Sequence, residues 1–200
     1  MSEASLATRN LAFADARSFV RQAAAVPTMR SIFLQEEWRD SAESRAVTRV
    51  SDKLLGHLNT VSARELLIRA NMPGISSAEV QATFLPFATE LGFTSEAKGL
   101  FETYENRALR PDYFRPEGDS GILMEVERGK TTTNNMDLLD LWKCHICEHA
   151  HHLFLMVPQA LRHNPTMAPK KEYAAVVKRL GSFFTSGNYT NVRSLHIFGY

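Results

Sequence analysis

Asp112, Glu125 and Glu127 are the residues whose types and spacing can do chemistry. The run Gly121-Ile122-Leu123-Met124-Glu125-Val126-Glu127-Arg128, ended by Gly129, reads as a strand. Strand side chains alternate, so Leu123, Glu125 and Glu127 share one face while Ile122, Met124 and Val126 line the other. The stretch before it, Arg115-Pro116-Glu117-Gly118-Asp119-Ser120, is turn-rich and implies a hairpin. With Glu117 to Ser120 as a four-residue loop, Pro116 falls opposite Gly121, Phe114 opposite Leu123 and Asp112 opposite Glu125. Opposed residues have Cβ atoms about 4.5–5.5 Å apart, and like charges at that separation repel unless something neutralises them. A hard dication such as Mg²⁺ or Mn²⁺ does so, because it prefers carboxylate oxygens and keeps waters for chemistry. Arg110 falls opposite Glu127 in this register and offers a second source of positive charge. A solvent-facing hairpin with ordinary charges is the alternative that the spacing leaves equally open.

The elements around the hairpin follow from hydrophobic period. The first ninety residues read as helices: a segment through Leu6, Leu11, Phe13, Phe19 and Val20, interrupted by Pro27, then Thr28 to Trp38, Ser44 to Leu58 and Ser62 to Ala70. Pro73-Gly74 breaks the pattern. Ser76-Ser77-Ala78-Glu79 then starts a helix, a hydroxyl three residues ahead of a glutamate, which runs to about Leu91 before Gly92. Leu100 to Tyr104 and Ala108 to Phe114 read as strands ahead of the Gly121 strand. Asn135 to Ala150 returns to helical spacing, with Met136, Leu139, Trp142, Ile146 and Cys147 apolar. His152 to Val157 reads as a buried strand, Lys170 to Phe184 as an amphipathic helix and Val192 to Phe198 as a final strand. Helix, three strands, helix, strand, helix, strand predicts an α/β (α+β) fold: a mixed sheet flanked by helices.

Pro111-Asp112, twelve residues, then Glu125-Val126-Glu127 resembles the signature of the PD-(D/E)XK nuclease superfamily, the restriction-endonuclease-like fold. That resemblance implies an αβββαβ core over residues 76–200, with the helical residues 1–75 outside it. It implies that Asp112 and Glu125 are metal ligands, with the Val126 carbonyl as a third. Glu127 stands where the family usually has lysine. A glutamate there adds a ligand, favouring a second metal or general-base assistance, where lysine would orient water and offset charge. Lys130 and Lys143 are candidates for the missing positive charge, each weighed against an ordinary surface lysine. Glu90 and Glu105 are candidates for outer carboxylates. The implied activity is Mg²⁺- or Mn²⁺-dependent hydrolysis of phosphodiester bonds, with DNA as the expected substrate.

Charge distribution is compatible with such a partner. Residues 160–200 carry Arg162, Lys170, Lys171, Lys178, Arg179 and Arg193 against Glu172 alone, a local balance of +5, while residues 1–159 carry −4. A phosphate-contacting surface and a solvated helix face explain this equally well. Thr131-Thr132-Thr133-Asn134-Asn135 offers hydroxyls and amides for phosphate, or simply a capped loop. Cys144, Cys147 and His151 share a helix face, but a fourth zinc ligand is not apparent and buried thiols are favoured. Phosphate-cradling P-loops, nucleophile elbows and dinucleotide fingerprints are not found. The longest strongly apolar stretch, Leu153 to Val157, is far too short to span a bilayer, so no membrane partner is expected. Two cysteines and no basic-then-apolar leader point to the cytoplasm. The N-terminal helices are expected to recognise substrate, form a homodimer or buttress the sheet. The rival functions are a nucleic-acid-binding protein without chemistry and a partner-binding protein on the same scaffold.

Overall fold

The computed structural model describes residues 26–71, 75–95, 98–104, 109–129, 131–160 and 168–200. The expected helix through Leu6 to Val20, together with Glu105, Lys130 and Arg162, lies outside the described residues. The described residues form a six-stranded mixed sheet with helices on both faces. In chain order the strands are β1 (Met29–Leu34), β2 (Thr94–Ser95), β3 (Tyr113–Glu117), β4 (Ser120–Val126), β5 (His152–Val157) and β6 (Ser194–Gly199). The helices are α1 (Ala42–Leu58), α2 (Val61–Ala70), α3 (Ser77–Glu90), α4 (Met136–Ile146) and α5 (Glu172–Gly181). Strand order is β1-β6-β5-β4-β3-β2. β4, β5 and β6 run parallel, joined through α4 and α5, whereas β2, β3 and β4 form an antiparallel meander.

Period and caps explain most of the helices. Ser41 caps α1 by accepting from the Ser44 amide at 2.9 Å, and Val47, Val50, Leu54 and Leu58 make its buried stripe. The capping box predicted at Ser76 and Glu79 is present: Glu79 Oε2 accepts from the Ser76 amide at 2.8 Å, and Ser76 Oγ accepts from the Glu79 amide at 3.3 Å.

Alternation in β4 separates two cores. Ile122, Met124 and Val126 join Phe154, Met156 and Phe198 under α1, α2 and α3. Leu123 joins Leu153, Leu155, Leu195 and Ile197 under α4 and α5. Burying each such side chain contributes about 1.5–3 kcal/mol, so a one-residue slip of β4 would reverse a large term. The face that carries Glu125 is therefore an interior face, not a solvent-facing one.

Three expectations need correction. Residues 28–38 are not a helix; Met29–Leu34 is an edge strand, paired antiparallel with β6 from Met29↔Gly199 to Leu34↔Ser194. Its Phe33 stacks on Phe184, and the Ser31 and Tyr173 hydroxyls are 2.8 Å apart, so tertiary contacts decide a segment whose local pattern is ambiguous. Leu100–Tyr104 is a turn rather than a strand; the first meander strand is the two-residue β2. Phe101 is instead buried on the α4 side, and the Tyr104 hydroxyl donates to Ile146 O at 2.5 Å. The second meander strand begins at Tyr113, so Leu109 to Asp112 precede it, and Ala108 lies outside the described residues.

The hairpin register agrees with expectation. Phe114 pairs with Leu123 and Pro116 with Gly121, but Glu117 also pairs with Ser120, which leaves Gly118-Asp119 as the turn. Gly118 takes φ +60°, the left-handed conformation that glycine adopts without penalty.

Candidate functional site

β4 carries Glu125 into the layer between the sheet and α4, where it is 3% exposed. α4 supplies Asp140 and Lys143, three residues apart and hence on one helix face. Lys143 Nζ lies 2.6 Å from Glu125 Oε1 and 3.1 Å from Asp140 Oδ1. Asp112 lies one step beyond the last paired residue of β3 and meets the end of β4. Its backbone amide donates to Glu125 Oε2 at 3.3 Å, and its Oδ2 accepts from the Val126 amide at 2.8 Å. Glu127 follows β4; its amide donates to Met156 O at 2.9 Å, and its carboxyl interacts with Asp140. Asp112 and Glu127 are partly exposed and open the cluster to solvent, while Glu125, Asp140 and Lys143 form its floor.

Four carboxyl groups thus meet one ammonium, and their proton affinities record the imbalance. Burial, then the charge of Asp140, pushes the Glu125 carboxyl well above its ordinary range, against the pull of Lys143. Burial, then Asp140 and Asp112, pushes Glu127 up to about 8. Burial raises Asp140 to about 6 although Lys143 opposes it. Burial also works against the Lys143 ammonium, but Glu125 and Asp140 outweigh it and hold the lysine charged. Neither Asp140 oxygen accepts a hydrogen bond of good geometry; its contacts are the Lys143 ammonium and the Glu127 carboxyl.

The oxygen donors and the unbalanced negative charge fit a hard divalent cation. The arrangement is not a closed cage: among the described residues, no group of three or more His, Cys, Asp or Glu stands ready to hold a metal. Lys143 takes one oxygen of Glu125 and the Val126 amide one of Asp112, so Glu127 and Asp140 are the least committed donors.

Asp112, Glu125 and Glu127, expected at one site, are adjacent. Lys143, weighed as a surface lysine, is buried among the carboxylates. Lys130 lies outside the described residues. Glu90 is exposed and influences His57, away from the cluster. Asp140 was not anticipated. The expectation that Leu139 and Trp142 pack inward hid it, since they are 40% and 45% exposed while Asp137, Asp140, Leu141, Lys143 and Cys144 face the sheet. The available signal was three charged residues at helical spacing on the same arc as Leu141 and Cys144.

The surrounding polar groups brace the site. Arg179 on α5 grips Asp137 with two bonds of 2.9 and 2.8 Å, and also donates to Asn135 Oδ1 and to Thr132 O. The Thr132 hydroxyl donates to Glu172 at 2.7 Å and Lys170 reaches Thr133 at 2.9 Å, so these hydroxyls hold the loop together. Lys170, Arg179 and Arg193 of the basic segment are committed to Glu172, Asp137 and Glu43, leaving Lys171 and Lys178 exposed. Cys144 and Cys147 are buried free thiols directed at Ala150 O and Leu100 O, and His151 bonds the Ser120 hydroxyl. Compared with known proteins, the chain matches no family model and no curated protein significantly, so the reading of the site rests on its own geometry.

Proposed function

We propose that the protein is a Mg²⁺- or Mn²⁺-dependent nuclease of restriction-endonuclease-like architecture, acting on DNA. The observation that carries this reading is the convergence of Asp112, Glu125, Glu127 and Asp140 around one lysine at the end of a central strand. The order α3, β2, β3, β4, α4, β5, with β4 and β5 parallel, supports the αβββαβ core that the motif implies.

Asp112, Glu125, Glu127 and Asp140 would hold the metal. When bound, it would acidify a water and stabilise charge on the phosphate and the leaving oxygen. Glu127 is the residue suited to assist the attacking water, because it stands where the motif lysine would be and is the partly exposed carboxylate that follows β4. Lys143 occupies the role that the motif lysine would play, reached from α4 instead of β4. Its ammonium orients Glu125 and Asp140 and offsets part of the anionic charge near the scissile phosphate.

A second reading, a nucleic-acid- or partner-binding protein without chemistry, draws support from the Lys143 ammonium, which already bridges Glu125 and Asp140. Incubation of plasmid DNA, single-stranded DNA and RNA with Mg²⁺, Mn²⁺ or EDTA separates the two. Metal-dependent cleavage is expected. No cleavage of any substrate, with no metal uptake by calorimetry, would overturn the nuclease reading.

A further inference from the structure

Glu127 has left the ladder: the last β4–β5 pair is Val126↔Met156. Its amide still reaches Met156 O at 2.9 Å, but its carbonyl has no strand to accept from. That carbonyl accepts from the Tyr200 hydroxyl at 2.6 Å. Tyr200 is itself fixed. Its amide donates to Val157 O at 3.0 Å and its carbonyl accepts from Gln159 N at 2.7 Å, which extends the β5–β6 pairing past its last pair. Its ring meets Phe84 of α3 edge-on, with centroids 5.9 Å apart. The phenol therefore crosses from β6, over β5, to the residue after β4, on the face of the sheet opposite α4.

We propose that Tyr200 is a positioning residue of the carboxylate site, setting the backbone from which the Glu127 carboxyl reaches Asp140. The residue touches neither substrate nor metal and works only through Glu127 O. Both backbone groups of Glu127 are pinned in this way, the amide to β5 and the carbonyl to the residue after β6, so its side chain starts from a fixed point although it lies outside regular structure. Burial keeps the hydroxyl protonated at ordinary pH, so it stays a donor. Lys143 fixes the side chains of Glu125 and Asp140 but not the backbone of Glu127.

This inference rests on the metal-site reading above, and its test separates the two. Mn²⁺ binding is measured by calorimetry on the full chain, well below the melting temperature, for wild type, Tyr200→Phe and Tyr173→Phe. The last variant removes another hydrogen-bonded tyrosine hydroxyl, whose partner is Ser31, and serves as the control for loss of such a bond away from Glu127. Tyr200→Phe should weaken Mn²⁺ binding about tenfold or more, the range for loss of a supporting hydrogen bond behind a ligand. Tyr173→Phe should bind as wild type. Wild-type affinity in Tyr200→Phe would overturn the positioning role and leave the metal site standing. No Mn²⁺ binding by wild type would overturn both.

Discussion

Lys143 Nζ stands 2.6 Å from Glu125 Oε1, and this contact joins the last turn of α4 to the end of β4 inside the protein. Removing one partner of a buried ion pair costs about 3–5 kcal/mol, because the other charge is left in a poor solvent. Lys143→Met should lose stability of that order in metal-free urea unfolding at pH 7. The double variant Lys143→Met, Glu125→Leu should lose less than the single one. A single variant as stable as wild type would show that the pair is not buried as described.

The excess of carboxylates gives a pH dependence with a definite sign. Glu127 and Asp140 have folded-state values of about 8 and about 6, above their ordinary 4.5 and 3.8. The folded state therefore binds more protons than the unfolded one, and this cluster destabilises the metal-free protein as pH rises from about 4 to 8. Glu127→Gln should raise the urea midpoint at pH 8 and change it little at pH 4. Equal effects at both values would contradict the shift.

Two buried histidines act in the opposite direction. Arg30 donates to the Ser51 hydroxyl, which leaves that hydroxyl to donate to His196 Nδ1 at 2.8 Å. Burial, then Arg30 and His152, lowers His196 from 6.5 to about 3. His152, bonded to Glu43 at 2.6 Å and Ser194 at 2.7 Å, is also lowered, mainly by burial. The stability held by these neutral rings is present above pH 6.5 and is lost as pH falls below it, for His196 down to about 3. His196→Leu should flatten the acid side of a stability–pH profile; an unchanged profile would contradict the neutral assignment.

The hairpin that presents Asp112 depends on close backbone approach at Gly121. A Cβ there would lie 2.5 Å from the Phe114 ring and 2.8 Å from His149 O. Gly121→Ala should cost about 1–3 kcal/mol in thermal or urea unfolding, in line with other overpacked sites. A neutral effect would mean that β3 and β4 are less tightly registered than the pairing indicates.

Much of this site was legible because it lies on one hairpin. Alternation in β4 and the turn residues fix which side chains face each other, and the pairing of Phe114 with Leu123 follows from them. The apolar run His152–Val157 likewise announces a buried strand between two layers. What comes from elsewhere in the chain was not legible. Asp140 joins the cluster only because α4 turns its charged face inward, and its apolar Leu139 and Trp142 misdirected the reading. Met29–Leu34 pairs with β6, about 165 residues later, and no local pattern announces so distant a partner. Tyr200 acquires its role through a hydroxyl that reaches across a strand, which has no signature in spacing.

Cleavage by wild type and Glu125→Gln on the same plasmid and single-stranded DNA, each with Mg²⁺, Mn²⁺ or EDTA, decides whether this cluster is a nuclease centre. Glu125→Gln keeps the side chain's size and an oxygen that can accept from Lys143, and circular dichroism and a melting curve establish that the variant is folded at the assay temperature. Wild type should cleave only with metal, and the variant should lose about 10²-fold or more, the scale of a lost transition-state contact. Equal cleavage by both proteins, or cleavage that persists in EDTA, would contradict the nuclease reading.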